Sequence, residues 1–335
     1  MSHSASFLSI PAVKQLPNGA PFQTVVALRH IQKKIGKTGN PYLQIEVGDA
    51  MDTLLFNCFE GTDPLRFFQT PASKCPRILR LEGNIDFYND KLSPRVTSVQ
   101  DIPEDQYETY LPQVVEAPDE PVDALQEELH DFINQIHNTT LKDTVRFAFE
   151  ELGSQFTDSI GAVFMHHAYV HGLLEHTVHV ARVVQALLSL YPEINPDLSL
   201  AGALLHDIGK VLEYQYTNEG MDRTTIGRLQ GHVVLGYRLV RSAALRKDLN
   251  PHWLEQLEHI ILSHQSEPEW GAAVVPATPE AILVSLADNL DARMGMVHQE
   301  LKKAIPSQIF SDFIPGLDTK LFTQGVPDCS ASDKG

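Results

Sequence analysis

Leu204-Leu205-His206-Asp207-Ile208-Gly209-Lys210 is the stretch on which the reading of this chain turns. A histidine followed at once by an aspartate, at the end of an apolar helical run, presents two metal ligands of different hardness. Imidazole nitrogen with carboxylate oxygen suits divalent ions such as Mn²⁺, Fe²⁺ or Zn²⁺. Adjacent His and Asp also arise by chance, so the reading depends on whether neighbouring segments supply further ligands.

The surrounding pattern predicts helices. Residues 122–137 and 140–152 carry apolar side chains at three- and four-residue spacing. Residues 171–191 are apolar on nearly all sides, which predicts a central buried helix. Helices follow at about 197–207, 230–247, 251–265 and 278–300, interrupted at 213–228 by a loop or short hairpin. His176, His206, Asp207, His232, His264 and Asp288 all lie in apolar surroundings on these helices. Taken singly, each reads as a satisfied core histidine or a capping aspartate. Together they come from five successive helices, 24–32 residues apart, a spacing that lets antiparallel helices bring them to one place. Burying six ionisable groups without a compensating cation would be costly.

Several neighbours bear on the same region. Lys210, three residues after Asp207, is within reach of a substrate phosphate or leaving oxygen. His167, just upstream of the central helix, is a candidate proton donor or phosphate ligand, set against a structural role. Asp291 follows Asp288 by three residues and is placed to orient a ligand from behind. His179 lines the bundle one turn from His176, and Arg293 is a weaker phosphate-binding candidate. His259 lies about 140° around an ideal helix from His264 and is left out of the ligand set.

The N-terminal part has a different rhythm. Residues 1–20 read as a leader with one short strand. From 21 to about 102 short β-rich runs alternate with turns: 24–28, 42–47, 53–59, 77–83, 86–88 and 92–99. That number of strands suits a small Greek-key barrel, of which the OB-fold is the common nucleic-acid-binding form. Arg29, Lys33, Lys34 and Lys37 cluster around the first hairpin as candidate phosphate contacts. Tyr42 and Phe56, with Phe59, Phe87 and Tyr88, are candidate stacking rings; the alternative for each ring is a place in the barrel core. Pro103 to Pro121 is acidic and proline-rich and reads as the connection between domains. The boundaries drawn are a leader at 1–20, a barrel at 21–112, a linker at 113–122, a helical domain at 123–315 and a frayed tail at 316–335.

Composition sets outer limits. The 335 residues are long enough for two domains, and 43% hydrophobic with 21% charged residues is ordinary for a globular chain. The net charge of −17 is uneven: residues 1–100 carry 11 Lys+Arg against 8 Asp+Glu, and the remainder 15 against 35. An acidic body with a mildly basic N-terminal part is compatible with a modular nucleic-acid enzyme. Three scattered cysteines argue against a disulfide framework or cysteine zinc site. No apolar run is long enough to span a membrane and no signal-peptide pattern opens the chain, so a cytoplasmic setting is expected.

The order His176 … His206-Asp207 … His232 … His264 … Asp288 resembles the HD superfamily of metal-dependent phosphohydrolases. Within it, "HHAYVHGLLEHT", "LLHDIGK", "GHVVLGYRLV", "HIILSHQSEPEWG" and "LADNLDARM" are similar to the YhaM-type 3′-to-5′ exoribonucleases. "GNPYLQIEVGDAMDTLLFNCFEG" resembles the second and third strands of their N-terminal OB-fold. The resemblance implies a multidomain α and β chain: a small N-terminal β-barrel (OB-fold) followed by an all-α HD-domain helical bundle. It further implies that His176, His206, Asp207 and Asp288 hold one metal, and that His232 and His264 hold a second, with Asp207 bridging. Manganese is the expected ion, with iron, cobalt or magnesium as alternatives, one or two per chain.

Asp207, Lys210 and His167 would be catalytic. The implied substrate is single-stranded RNA, with single-stranded DNA as a second polymer, cleaved from the 3′ end to nucleoside 5′-monophosphates by an oligomer or a single chain. Two departures stand out: Ser263-His264-Gln265 where the family often has Ser-His-His, and His171 where a glycine is common. The competing readings are a phosphohydrolase of nucleotides or signalling dinucleotides, and a nucleic-acid-binding protein without catalysis.

Overall fold

The computed structural model describes residues 7–36, 39–70, 77–89, 91–114, 117–161, 169–217, 220–304 and 308–325. Lys37 and His167, two of the expected functional residues, lie outside them. The first element is α1 (Ile10–Lys14), with Pro11 in its first turn, where a missing N–H costs no helix bond. Ile10 and Val13 are fully buried within the core of the following sheet, and the Ile10 N–H donates to an Asp49 carboxylate oxygen at 2.6 Å. The expected leader with a strand is instead a short helix that belongs to the barrel.

The sheet is built from β1 (Pro21–Ile35), β2 (Pro41–Gly48), β3 (Thr53–Cys58), then, after α2 (Asp63–Phe68), β4 (Ile78–Asn84). A small hairpin of β5 (Phe87–Tyr88) and β6 (Lys91–Leu92) precedes β7 (Arg95–Asp101). The antiparallel order is β3-β2-β1-β4-β7. Strand β1 is long because it serves two neighbours: Pro21–Ala27 pair with β4, and Ala27–Ile35 with β2. The register slips between Leu28 and His30, just past the change of partner. Such a bulge bends a strand and raises its twist, which curls the sheet towards a barrel. The edges β3 and β7 share no ladder, so the barrel stays open while keeping the OB-like plan.

Beyond β7, the proline-rich segment is more structured than a linker. A helix α3 (Tyr107–Val114) lies against the sheet, where Ile102 and Val114 join Val25, Ala27 and Ile78 in a small buried cluster. Apolar residues too widely spaced to show a period still supply anchors.

The helical part comprises α4 (Val122–Gln135), α5 (Thr139–Leu152), α6 (Ser154–Thr157), α7 (Gly172–Leu188), α8 (Pro196–Leu205) and α9 (Lys210–Glu213). A hairpin, β8 (Tyr214–Thr217) and β9 (Gly220–Arg223), leads to α10 (Thr225–Arg246), α11 (Pro251–Ser263) and α12 (Pro279–Lys303). Five of the helices are capped by side chains: Asn138, Asn195, Thr224, Asn250 and Thr278 accept backbone N–H bonds in their first turns; α10 begins five residues before its expected start at 230. Each such cap is worth about 1 kcal/mol. Helix α7 packs on α8, α12 and α4, and its Leu173, Leu174, Val178 and Val180 are fully buried. The central buried helix is as expected. Strand β9 also pairs with β1 at His30 and Gly220, so the hairpin of the helical part extends the barrel sheet. The expected frayed tail at 316–335 holds β11 (Thr319–Phe322), which forms a third hairpin with β10 (Phe310–Ile314) just before it. Among the described residues, no helix is long and apolar enough to cross a membrane.

Candidate metal centre

Helix ends deliver two of the candidate ligands. His206 follows the last turn of α8 and His264 the last turn of α11. Each uses the same local device: its Nδ1 lies 2.8 Å from Ala203 O and 2.7 Å from Ile261 O respectively, three residues back. A carbonyl only accepts, so each Nδ1 carries the proton and each Nε2 presents a lone pair. His176, in the buried run of α7, is fixed likewise by Asp291 Oδ2 at 2.7 Å. Glu213 Oε2 holds His232 Nδ1 at 2.8 Å. All four rings are therefore set with Nε2 facing inward.

Those lone pairs converge on two carboxylates. His176 Nε2 lies 3.1 Å from His206 Nε2, 3.4 Å from Asp207 Oδ2 and 3.2 Å from Asp288 Oδ1. His206 Nε2 is 3.4 Å from Asp207 Oδ2. On the other side of the same carboxylate, Asp207 Oδ1 is 3.5 Å from His232 Nε2 and 3.4 Å from His264 Nε2. Two donor groups result, His176-His206-Asp207-Asp288 and Asp207-His232-His264, and Asp207 belongs to both through different oxygens.

These residues fit a divalent cation on two observations. Donors about 2.1 Å from a shared ion stand roughly 3.0–3.4 Å apart at right-angled or tetrahedral positions, which is the spacing seen. Among the described residues, buried Asp207 Oδ1 and His264 Nε2 have no hydrogen-bond partner, and buried acceptors are rarely left so. Lone pairs facing lone pairs repel unless a positive charge lies between them.

The electrostatics agree. Burial would raise the Asp207 carboxyl, but Lys210 and His206 outweigh it and hold its pKa well below the usual range. Burial would likewise raise Asp288, yet its contact with His176 brings it down to about 2. Burial opposes a charge on His176, whereas the contacts with Asp207, Asp288 and Asp291 drive its pKa well up. A field that would otherwise hold a proton there is one that attracts a metal. Lys210 is less free than its sequence position suggests: its Nζ lies 2.6 Å from Asp207 Oδ2. Burial disfavours its charge, and that carboxylate more than restores it.

The other expectations divide. Asp291 does orient His176, and it holds His179 Nδ1 at 3.1 Å as well. His259 takes no part; its Nε2 accepts the Ala277 N–H at 2.8 Å. Arg293 is exposed. Gln265, in place of a third second-site histidine, sets its side-chain amide 3.0 Å from His232 Nε2. His171 has φ 70 and ψ 1, the left-handed region that favours glycine, which accounts for the family's usual residue there. Its Nδ1 is anchored 2.6 Å from Thr157 O.

Two contributors were not seen in the sequence. Glu213 is buried and reaches His232 across 19 positions, with Arg223 Nε 3.4 Å from its other oxygen. Gly209 is required by close approach: a Cβ there would lie 2.0 Å from His232 O and 2.4 Å from Gly236 N. Both glycines stand in phrases already quoted, but only the packing shows why. Gly209→Ala is expected to displace the His232 backbone and weaken metal binding at the second group by about 10- to 100-fold. Calorimetric titration with Mn²⁺ checks this, and unchanged binding would contradict it.

On the barrel, Phe56 was expected to stack on a ligand, but it is 1% exposed. It pairs with Ile45, so strand alternation carries it into the core with Leu54 and Cys58. Arg29 was expected to meet phosphates; its guanidinium instead donates to Asp49 O and Val114 O at 3.3 and 3.1 Å, tying α3 to the sheet. Lys33 is exposed, and Lys34 Nζ donates to Gln44 Oε1 at 2.6 Å. Tyr42 packs against Phe59, ring centroids 5.5 Å apart, beside an open concavity of about 450 Å³ shared with Gly36, Pro41 and Gly61. Phe87 and Tyr88 are exposed.

Comparison with known proteins places these features. Residues 173–293 match the HD domain family. The "3′-5′ exoribonuclease YhaM" of Geobacillus sp. (strain WCH70) is 27% identical over 92% of this chain and 93% of its own length. The protein of the same name from Shouchella clausii is 29% identical over 87% and 89%, and that from Bacillus subtilis 24% over 91% and 95%. Residues 173–293 thus resemble HD domains, and the chain is similar to the YhaM proteins along almost its whole length.

Proposed function

We propose that the chain is a metal-dependent 3′-to-5′ exoribonuclease that releases nucleoside 5′-monophosphates from single-stranded RNA. The observation that carries this reading is the bridging Asp207 carboxylate between two groups of inward-facing histidines. An OB-like barrel lies upstream, and the likeness to proteins named 3′-5′ exoribonuclease extends along almost the whole chain. In this reading the division of labour is a barrel that holds RNA and a helical domain that cuts it, in the cytoplasm.

His176, His206, Asp207 and Asp288 would hold one ion, and Asp207, His232 and His264 a second. Manganese is the first candidate because mixed imidazole and carboxylate donors suit it, with iron, cobalt and magnesium as alternatives. When bound, such ions lower the pKa of a coordinated water and stabilise charge on phosphoryl oxygens. The protein's own groups do the rest. Asp291 and Glu213 fix the tautomers of His176 and His232. Lys210 is a preformed cation beside Asp207, available to a phosphoryl or departing 3′-oxygen. Gln265 competes with an ion for His232 Nε2, which makes the second group the weaker one.

The substrate class is tested by giving the Mn²⁺-loaded protein 5′-labelled single-stranded RNA and DNA, free nucleotides and cyclic dinucleotides in parallel. Stepwise shortening of RNA is the expected result; hydrolysis of nucleotides alone would favour a small-molecule phosphohydrolase, and RNA binding without turnover a binding protein. The barrel is tested separately. Tyr42→Ala with Phe59→Ala is expected to weaken long-RNA affinity between about 5- and 100-fold, since a stacked base is worth about 1–3 kcal/mol. Cleavage of a dinucleotide should be unaffected. If filter binding shows no change for long RNA, these rings are not the stacking platform.

A further inference from the structure

Helix α12 is apolar on both sides. Its inner face carries Leu283, Val284 and Ala287 into the core, each at most 5% exposed. Ile282, Leu286 and Leu290 run along its outer side, and Met294 and Leu301 follow where the helix runs on past the core, each between 45% and 62% exposed. The first three, one turn apart, make a stripe directed away from the candidate metal ligand Asp288 on the same helix, while Met294 borders the hollow lined by His179 and Asp291. A stripe of this kind on a water-facing side marks an interaction surface.

The chain then carries a second unpartnered apolar element. The hairpin β10–β11 presents Phe310, Phe313 and Phe322, each 53–55% exposed, together with Ile309. Phe310 and Phe322 pair across the hairpin, ring centroids 5.6 Å apart. Among the described residues, the hairpin packs extensively on no other helix or strand. A two-stranded hairpin alone is marginally stable in water, so burial of these rings against a further surface would stabilise it.

We propose that the chain forms a two-fold dimer in which the outer face of α12 and the C-terminal hairpin are buried against a second copy. Three arguments select that occupant. First, one chain carries both surfaces, and two-fold symmetry satisfies the two in both copies at once. Second, nine large apolar side chains, each about half exposed, offer roughly 800 Å² per copy, the contribution of one partner to a standard stable interface. Third, the residues beyond 100 carry an excess of acidic over basic side chains, 35 against 15, which opposes docking on an anionic lipid surface. The dimer does not depend on the proposed activity.

The test is sedimentation velocity on the full chain at about 1 and 50 μM, with Leu290→Glu/Leu301→Glu on the helix and Phe313→Glu on the hairpin as separate variants. Wild type is expected to sediment as a dimer. Each variant should sediment as a monomer at the lower concentration, through a rise of about 100-fold or more in the dissociation constant, with an unchanged circular dichroism spectrum. The two variants guard against misfolding of either one. A monomeric wild type overturns the proposal, as does a dimer that survives both variants. Binding of wild type to phosphatidylglycerol vesicles, without self-association, would identify a membrane surface instead.

Discussion

Asp207→Asn is expected to lower turnover of RNA by about a thousandfold or more while leaving the fold intact. The asparagine keeps the volume of the buried side chain but removes the charge that both donor groups share. Asp207 Oδ2 faces His176 and His206 at 3.4 Å, and Oδ1 faces His232 and His264 at 3.5 and 3.4 Å. No other side chain among the described residues belongs to both groups. Metal chemistry supplies several kcal/mol of transition-state stabilisation, and each 1.36 kcal/mol is about tenfold in rate. Steady-state digestion of labelled RNA, with circular dichroism as the control for folding, measures the loss. A variant with a tenth of the normal rate would show that Asp207 does not bridge.

Removal of divalent ions has an effect of similar size on activity and a second one on stability. Dialysis against a chelator should abolish cleavage, and the stripped protein should melt at lower temperature, because inward-facing Nε2 lone pairs and two carboxylates are then left facing one another. Restoring Mn²⁺ to about 100 times its dissociation constant contributes about 2.7 kcal/mol. For a domain of this size that raises the melting temperature by roughly 5–10 °C. Differential scanning fluorimetry with and without Mn²⁺ gives the answer. A melting temperature that ignores the ion would mean that the cluster is satisfied by protons alone.

The converging histidines and aspartates were legible because their signal is one-dimensional. His176, His206, Asp207, His232, His264 and Asp288 interrupt apolar helical runs at regular intervals, and such interruptions have few explanations other than a shared site. Asp291 was legible for the same reason, three residues from a ligand on one helix. Glu213 was not, because nothing local marks it: it starts the hairpin, and its role rests on a contact with His232 that only the tertiary fold creates. The turn at Gly209 is similar, since a close approach between two backbones leaves no periodic trace.

On the barrel the strands could be read, but their faces could not. Tyr42 and Phe56 looked equivalent as rings on neighbouring strands. The register pairs Phe56 with Ile45, and Ile45 lies an odd number of residues from Tyr42, so the two rings point to opposite sides of the sheet. Arg29 looked like part of a basic cluster, yet the bulge beside it turns its guanidinium towards backbone carbonyls. Short segments misled in the other direction. α1 and the β10–β11 hairpin are too brief for a period to emerge, and burial of Ile10 and Val13 is what holds the first of them.

The most direct measurement is a single-turnover digestion of 5′-labelled single-stranded RNA by the Mn²⁺-loaded protein in ¹⁸O-enriched water. Attack of water on phosphorus with departure of the upstream 3′-oxygen predicts a ladder shortening one nucleotide at a time from the 3′ end. The ¹⁸O should appear in the released nucleoside 5′-monophosphate. Label retained on the shortened RNA, internal cuts, or products ending in a 3′-phosphate would contradict the assignment of this centre as a 3′-to-5′ exoribonuclease.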